Sequence, residues 1–382
     1  MLKLNGNSLA QGDGFEERTL LILTKSDDIP AAIRNKYALL IDGNESCVEG
    51  FGAYITFNEN NFLLKQRYIL LPKEMNFFSE NDIVRIQSDG RVSSLFRVHS
   101  NHNTILLTER CNHYCLMCSQ PPKKQDDSIL LDDAMLLLDL IPKDTRNIGY
   151  SGGEPTLYDD DFIKLIYKTK TSLPNTAVDV LTNGRKFADL DFCLSFSEIN
   201  HPDCVVGIPL YSDDPVRHDY VVQSEGAFDE TIQGIINLKK KNQKVEIRIV
   251  LHRQTVDRLV QTCEFIARNL IFVDHVALMG LEMIGFTRAN LNTLWIDPYE
   301  YKDILSEAVK TLNIYKINNS VYNHQLCIVN EDIHKNYRKS ISDWKNEYVE
   351  ECNLCVRRDD CGGFFSSSVA HKYSQNIKHF SS

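Results

Sequence analysis

No stretch of the chain reaches the ~20 consecutive apolar residues that a membrane helix needs. The longest apolar stretch, around Met135–Ile141, is broken by Asp139. The first twenty residues, MLKLNGNSLAQGDGFEERTL, lack the apolar centre and small-residue cleavage site of a secretory signal. Both absences lead to the expectation of a cytoplasmic protein with no membrane partner. A surplus of positive charge is missing too: 42 Lys and Arg stand against 52 Asp and Glu, a net charge of −10. Loose, backbone-driven binding of nucleic acid is therefore not expected. The short run Lys239-Lys240-Lys241 reads as the solvated end of a helix. No internal repeat or low-complexity tract interrupts the 382 residues, a length that suits two or three domains and needs no staple to hold a core.

Cysteine, by contrast, is plentiful. The eleven stand at 47, 111, 115, 118, 193, 204, 263, 327, 352, 355 and 361. Without an export signal they read as reduced thiols or metal ligands rather than disulfides. Cys111, Cys115 and Cys118 form one group, and Cys327, Cys352, Cys355 and Cys361 another. Cys47, Cys193, Cys204 and Cys263 are scattered and read as buried apolar thiols.

The rhythm of apolar residues changes twice. Residues 1–102 are rich in β-branched and aromatic runs such as AYITFNE and FLLKQRYILL. An Asp89-Gly90 step between two runs signals a hairpin, so a small antiparallel domain is expected there. Over 103–290, short apolar strands alternate with stretches of helical period, the pattern of repeated βα units on a parallel sheet. The strands are expected at 104–108, 147–150, 178–181, 205–210, 245–251 and 275–280. Ser128 with Asp132, and Asp229 after Gly226, mark helix starts. Six such units are too few for a closed eight-unit barrel of ~250 residues. The expected fold class is α/β, a partial (β/α)6 barrel or open sheet, with the chemistry at the C-terminal ends of the strands. Residues 291–382 hold one helical stretch and the second cysteine group, and the polar end from Ser366 is expected to be poorly ordered.

The first cysteine group, TERCNHYCLMCSQPP, is a CxxxCxxC triplet directly after the first expected strand. Soft thiolates suit zinc or iron–sulfur clusters. Zinc with His113 or His102 as fourth ligand is the competing reading, although structural zinc motifs more often pair two CxxC knuckles. Three thiolates on a four-iron cluster leave one iron open to a small molecule, whereas electron-transfer clusters usually take four cysteines. The second group, C-x24-C-x2-C-x5-C, supplies four thiolates, enough for one fully ligated cluster or a structural zinc.

CxxxCxxC at the end of the first strand of a partial barrel resembles the radical S-adenosylmethionine (radical SAM) superfamily. GYSGGEPTLY follows the second strand, and Gly152, Gly153, Glu154 and Pro155 match the family's GGEP motif. The resemblance implies a [4Fe-4S] cluster on Cys111, Cys115 and Cys118, with S-adenosylmethionine on its open iron. It also implies that the GGEP loop meets the cofactor's ammonium group. LTNG, with Asn183, ends the third strand as in many relatives. IPLYSDDPVRHDYVVQSEGAF resembles the family's serine-containing end of the fourth strand, which assigns Ser212 to the cofactor's ribose. Arg248 is assigned to its carboxylate, the loop after Met279 to adenine, and His218 with Asp219 to supporting the fold.

The wording of both cysteine groups is more specific. ILLTERCNHYCLMCSQPPK, ISDWKNEY and CNLCVRRDDCGGFFSSS resemble the His-Xaa-Ser system radical SAM maturases of the C-component type, over nearly the whole chain. That resemblance implies a precursor peptide with His-Xaa-Ser repeats, a second radical SAM maturase, and an electron donor such as flavodoxin or ferredoxin. It also implies one auxiliary iron–sulfur cluster on Cys327, Cys352, Cys355 and Cys361, and net oxidation of the peptide. Two other classes stand beside it: a radical SAM enzyme acting on a nucleobase or small metabolite, and a non-catalytic partner that delivers peptide to the second maturase. The hairpin edges of the N-terminal domain are expected to hold an extended peptide by strand addition.

Overall fold

The computed structural model describes residues 4–41, 48–61, 63, 65–339 and 346–381. Cys47 lies outside them. The first sheet comprises β1 (Asn5–Asn7), β2 (Ala10–Gln11), β3 (Thr19–Thr24), β4 (Tyr37–Leu40), β5 (Ala53–Thr56), β6 (Tyr68–Leu70), β7 (Ile83–Ile86) and β8 (Arg91–Phe96). Its order is β1-β8-β7-β3-β4-β5-β6-β2. The Asp89-Gly90 hairpin forms as expected, joining β7 to β8 with Gly90 at φ 80°. The antiparallel expectation holds for four of the seven pairings, β1–β8, β7–β8, β3–β7 and β2–β6, whereas β3, β4, β5 and β6 pair in parallel. The segments joining them run to about a dozen residues, long enough for crossovers even without an α-helix.

The two edge strands of this sheet, β1 and β2, belong to one continuous segment. β1 pairs with β8 and β2 with β6, while Ser8 N donates to Gly90 O and Leu9 N to Leu70 O, both at 2.8 Å, across the seam. The sheet thus closes on itself around Leu21, Leu23, Ile55, Ile69, Val84 and Val92. Closure covers both edges, so among the described residues this sheet offers no free edge for the expected strand addition.

The second sheet has seven strands, all parallel and in chain order. They are β9 (Asn103–Thr108), β10 (Asn147–Gly152), β11 (Ala177–Leu181), β12 (Cys204–Pro209), β13 (Lys244–Leu251), β14 (His275–Gly280) and β15 (Asn319–Tyr322). The first six lie where the apolar runs put them. The seventh, NSVY, is short and polar and follows the helix Lys302–Ile314, so it carries no strand signal of its own.

Alternation along β13 shows why the sheet has two unlike faces. Val245, Ile247, Ile249 and Leu251 are buried, whereas Glu246, Arg248 and Val250 are only half-buried on the opposite side. The buried face packs against the helices Ile129–Leu137, Asp160–Ser172, Leu190–Glu198, Ala227–Lys240 and Leu259–Asn269. Cys193, Cys204 and Cys263 sit in this core. Gly226, at φ 73°, starts the helix Ala227–Lys240 as expected. Ser128 precedes its helix but its side chain caps nothing. Lys239 is not merely solvated, since its Nζ meets Asp274 Oδ2 at 2.7 Å. Arg85 Nη1 to Asp133 Oδ2, at 2.6 Å, ties the first sheet to the helix Ile129–Leu137 beside the second.

The chain end is ordered rather than loose: Ser366–His371 is helical and Val356 N donates to Phe380 O at 3.0 Å. Among the described residues no helix is long and apolar enough to cross a membrane. Because all seven strands of the second sheet point the same way, their C-terminal ends form one face. Cys111–Cys118 leave that face after β9 and Cys327 after β15, the two outer strands.

Candidate functional site

The cysteine loop begins at a hub built on Asp127. Thr108 Oγ1 and the Glu109 backbone N–H both donate to this carboxylate, the former at 2.9 Å, and the Arg110 side chain and Tyr158 hydroxyl each reach it at 3.3 Å. The loop is then held from two sides. Tyr114 N and Leu116 N donate to Val222 O and Val221 O at 3.0 and 2.9 Å. From beyond β14, Asn290 Nδ2, Thr287 Oγ1 and Phe286 N donate to the carbonyls of Leu116, Met117 and Cys118. That approach demands a glycine at 285, where φ is 56° and a Cβ would lie 2.3 Å from Cys118 O.

All three cysteines are half-buried. Burial pushes the Cys111 thiol up to about 12, and Cys115 still higher, with the neighbouring thiols adding to the shift. Such thiols ionise only when a cation takes the negative charge. A single zinc ion requires its ligands to converge on one point at about 2.3 Å. Among the described residues no three His, Cys, Asp or Glu side chains do so. A cluster that gives each thiolate its own iron has wider requirements, and three soft donors around one loop fit it.

The GGEP loop is zipped to the cysteine loop by its backbone. Gly153 N donates to Thr108 O at 2.7 Å and Glu154 N to Arg110 O at 2.8 Å. A Cβ on Gly152 would lie 2.3 Å from Thr108 O, and one on Gly153 2.1 Å from Arg110 O, so both glycines are needed for contact between the loops. Pro155 is buried at the first position of a 3-10 turn whose N-cap is Glu154. The Glu154 carboxylate is itself fully enclosed. Oε1 accepts from Thr156 N, Thr156 Oγ1 and Thr182 Oγ1, and Oε2 from Asn183 N. It braces loops rather than offering a free charge.

Asn183 joins the same assembly, because its Nδ2 donates to Asn112 Oδ1 at 2.6 Å, inside the cysteine loop. Ser212 is buried, and its Oγ accepts from Asp214 N at 3.1 Å in a local turn. Arg248 points along the barrel interior to Glu246, at 2.7 Å, and Glu246 in turn meets His275 Nδ1 at 2.8 Å. His218 accepts from Tyr211 N through Nδ1, and burial lowers it to about 4. Asp219 receives Gly226 N and Phe228 N, a fold-supporting role.

Several site residues carried no sequence signal. Asn112 and Thr182 act through contacts between loops distant in the chain, and Thr156 through Glu154 two residues before it. Tyr211 is buried beside the cysteine loop in one apolar cluster with Met117, against which Cys115 packs. The alternation of β12 places it on the inner face, two residues past Pro209.

Cys327, Cys352, Cys355 and Cys361 all line one cavity, together with Arg357 and Lys378. Burial raises Cys327 to about 11, with Cys361 and Cys352 adding to it. Cys361 Sγ accepts from Leu326 N at 3.3 Å and Gly363 N at 3.4 Å. Four thiols around one cavity suit a fully ligated cluster or a structural zinc.

Residues 105–266 match the family model described as Radical SAM superfamily. A protein named probable GTP 3',8-cyclase, from Methanocella arvoryzae, is 28% identical over 163 residues, covering 41% of this chain and 50% of its own length. Streptococcus suis SuiB bound to S-adenosylmethionine is 15% identical with a TM-score of 0.46, over 66% of this chain and 54% of SuiB. Native anSMEcpe with bound AdoMet and Kp18Cys peptide is 16% identical with a TM-score of 0.44, over 57% of this chain and 63% of that one. The chain spans about half the length of the curated relative it matches. The triplet, the GGEP loop, Asn183, Ser212 and Arg248 all fall within the matched residues, and the chain therefore carries a radical SAM superfamily domain over 105–266.

Proposed function

We propose that this chain is a radical SAM enzyme that modifies a ribosomally made peptide. The observation that carries the reading is the hydrogen-bonded union of the CxxxCxxC and GGEP loops at the C-terminal ends of β9 and β10, within the matched domain. Cys111, Cys115 and Cys118 would hold a [4Fe-4S] cluster with one iron left for S-adenosylmethionine. With S-adenosylmethionine bound there, the cluster would supply one-electron radical chemistry toward the substrate. Gly152 and Gly153 would let their loop approach the cofactor's ammonium, while Glu154 and Asn183 hold the loops together. Ser212, which accepts from Asp214 N, would contact the ribose, and Arg248, which pairs with Glu246, the carboxylate.

Cys327, Cys352, Cys355 and Cys361 would hold one auxiliary cluster with no open position, an acceptor for the electron that the substrate radical loses together with a proton. The net result is oxidation of the peptide. A mass-neutral, epimerised product alone would overturn that part. The division of labour follows the chain: residues 1–102 as scaffold, 103–290 for radical chemistry, 291–382 for the auxiliary cluster. The wording of the cysteine motifs supports a precursor with His-Xaa-Ser repeats, a second maturase, a flavodoxin or ferredoxin donor, and a cytoplasmic setting. A second reading, action on a nucleobase or small metabolite, draws on the 28% identical relative.

The test is release of 5′-deoxyadenosine by anaerobically reconstituted, dithionite-reduced protein, with Cys111→Ala as control. The expected result is release that vanishes in the control and rises with the precursor peptide. Stimulation by GTP and not by peptide would favour the second reading. A preparation with neither iron nor release would overturn both.

A further inference from the structure

At the end of the barrel opposite the cysteine loops, a cavity of about 630 Å³ opens beside the first residues of β14 and β15. That volume falls within the range of about 300–1,000 Å³ that ligand sites occupy. Its wall is held in place by its own hydrogen bonds. Asn319 and Asn336 are buried, and Asn336 Nδ2 donates to Asn319 Oδ1 at 2.8 Å. Asn319 Nδ2 in turn donates to Asn313 Oδ1 at 2.9 Å. His275 is engaged at both ring nitrogens, by Glu246 at 2.8 Å and by Ser320 at 3.0 Å. Most ligand pockets are lined by apolar groups; this one is polar and suits a charged, hydrogen-bonding occupant.

Charge decides what that occupant is. Asp274 lies in the wall, but Lys239 Nζ and Val245 N both reach its Oδ2 at 2.7 Å, so its charge is already matched. The two remaining permanently charged side chains, Lys316 and Arg338, are positive and exposed. Arg338 is anchored through Nη1, which donates to Lys335 O at 2.9 Å and Tyr337 O at 2.7 Å. On a chain of net charge −10 the cavity is a local positive hollow, which draws in carboxylates. The same two loops expose apolar side chains: Ile314 and Tyr315 directly before Lys316, and Ile271 and Phe272 just before Asp274. A free phosphate or a small acid gains nothing from them. A peptide with both acidic and apolar residues does.

Resting on the peptide-substrate reading above, we infer that this cavity docks an acidic segment of the precursor peptide, at a distance from the residue that is modified. Lys316 and Arg338 take its carboxylates, the asparagine amides its main chain, and Ile314 and Tyr315 an apolar side chain. The length of a strand, about 17–20 Å, separates the cavity from the cysteine loops. An extended chain covers at most about 3.3–3.6 Å per residue, so about five residues or more lie between the docked segment and the modified one.

The test is fluorescence anisotropy with the full, anaerobically reconstituted chain and a fluorescein-labelled peptide of repeated Glu-Leu-Glu-Gly. Lys316→Glu and Arg338→Glu are the variants, and Lys36→Glu makes the same charge change beside the first sheet. The expected result is binding that weakens as salt is raised. It falls by roughly fivefold in each cavity variant, while Lys36→Glu matches the parent. Thermal melts identify a variant that has lost its fold, and the other cavity variant then carries the comparison. Equal loss in all three variants would overturn the assignment. So would parent-like binding by the cavity variants, or no binding by the parent. Inorganic phosphate that competes as well as unlabelled peptide would overturn the choice of a peptide. Release of 5′-deoxyadenosine by the same preparation keeps the two readings apart. Binding without release would overturn the catalytic reading, and release without binding would overturn this inference alone.

Discussion

Glu154 Oε2 accepts the backbone N–H of Asn183 at 2.6 Å, although the two residues lie 29 positions apart. This bond joins the loop after β10 to the loop after β11. Asn183 carries the link onward to Asn112 between the first two cysteines. The acidic residue of GGEP is thus a brace under the cofactor loops. Burial raises its carboxyl above the usual range, and the Asn183 N–H and the Thr156 hydroxyl act against that shift.

Glu154→Gln is therefore expected to destabilise the fold. Its amide group would turn a donor toward N–H and hydroxyl groups that are already donors, leaving buried polar atoms unmatched at about 1–3 kcal/mol. Urea midpoints of the two proteins measure this. Equal stability would show that the brace is dispensable.

Gly153→Ala tests the contact between the two loops. Its Cβ would fall 2.1 Å from Arg110 O, a backbone atom that cannot turn aside. Overpacking of this kind costs about 1–3 kcal/mol, and here it also prises the GGEP loop from the cysteine loop. The expected result is lower stability with loss of 5′-deoxyadenosine release. Gly149→Ala is the comparison, since its Cβ would meet the Thr104 side chain at 3.2 Å, a tight contact but with a side chain and not with backbone.

The cysteine triplet, GGEP and the first six strands of the barrel were legible because each is a local signal: residue spacing, a tight turn, a short apolar run. The parallel pairing of β3 to β6 was not, because β-branched runs look alike in parallel and antiparallel sheets. Closure of the first sheet by residues 5–11 depends on two pairings with strands more than fifty residues downstream. Within the site, Asn112, Thr182 and Tyr211 lie inside the quoted motifs at positions to which the motifs assign no role, and only the folded loops bring them together. Arg248 shows the reverse case, where a motif assigns a cofactor role and the structure supplies an acidic partner in Glu246.

Cys352→Ala separates the two cysteine groups. Removing one of the four thiols around the second cavity should release an auxiliary cluster and leave the triplet intact. The expected preparation holds about half the iron of the parent, as follows from two clusters with four irons each. It still releases 5′-deoxyadenosine but makes no oxidised peptide. Iron assay and mass spectrometry check the two halves. Full product from a half-loaded variant would show that the second group takes no part in the oxidation.

Buried histidines set the response of the fold to acid. His252 is wholly enclosed, and burial lowers it from 6.5 to about 3. Its Nδ1 accepts Gln254 N at 3.2 Å and caps the turn that begins at Arg253. In the unfolded chain this imidazole takes a proton near pH 6.5, whereas in the fold it resists one until far lower. The unfolded state thus binds more protons across that window, and stability falls as pH drops below about 6.5. The slope is about 1.4 kcal/mol per pH unit for each such imidazole. His324, lowered to about 4 by burial, acts in the same direction. His252→Asn, which keeps a capping side chain, should therefore lose some stability at pH 7.5 and show a shallower decline toward pH 5. Denaturant midpoints at the two pH values give the slope. An unchanged slope would mean that His252 takes its proton as easily in the fold as outside it.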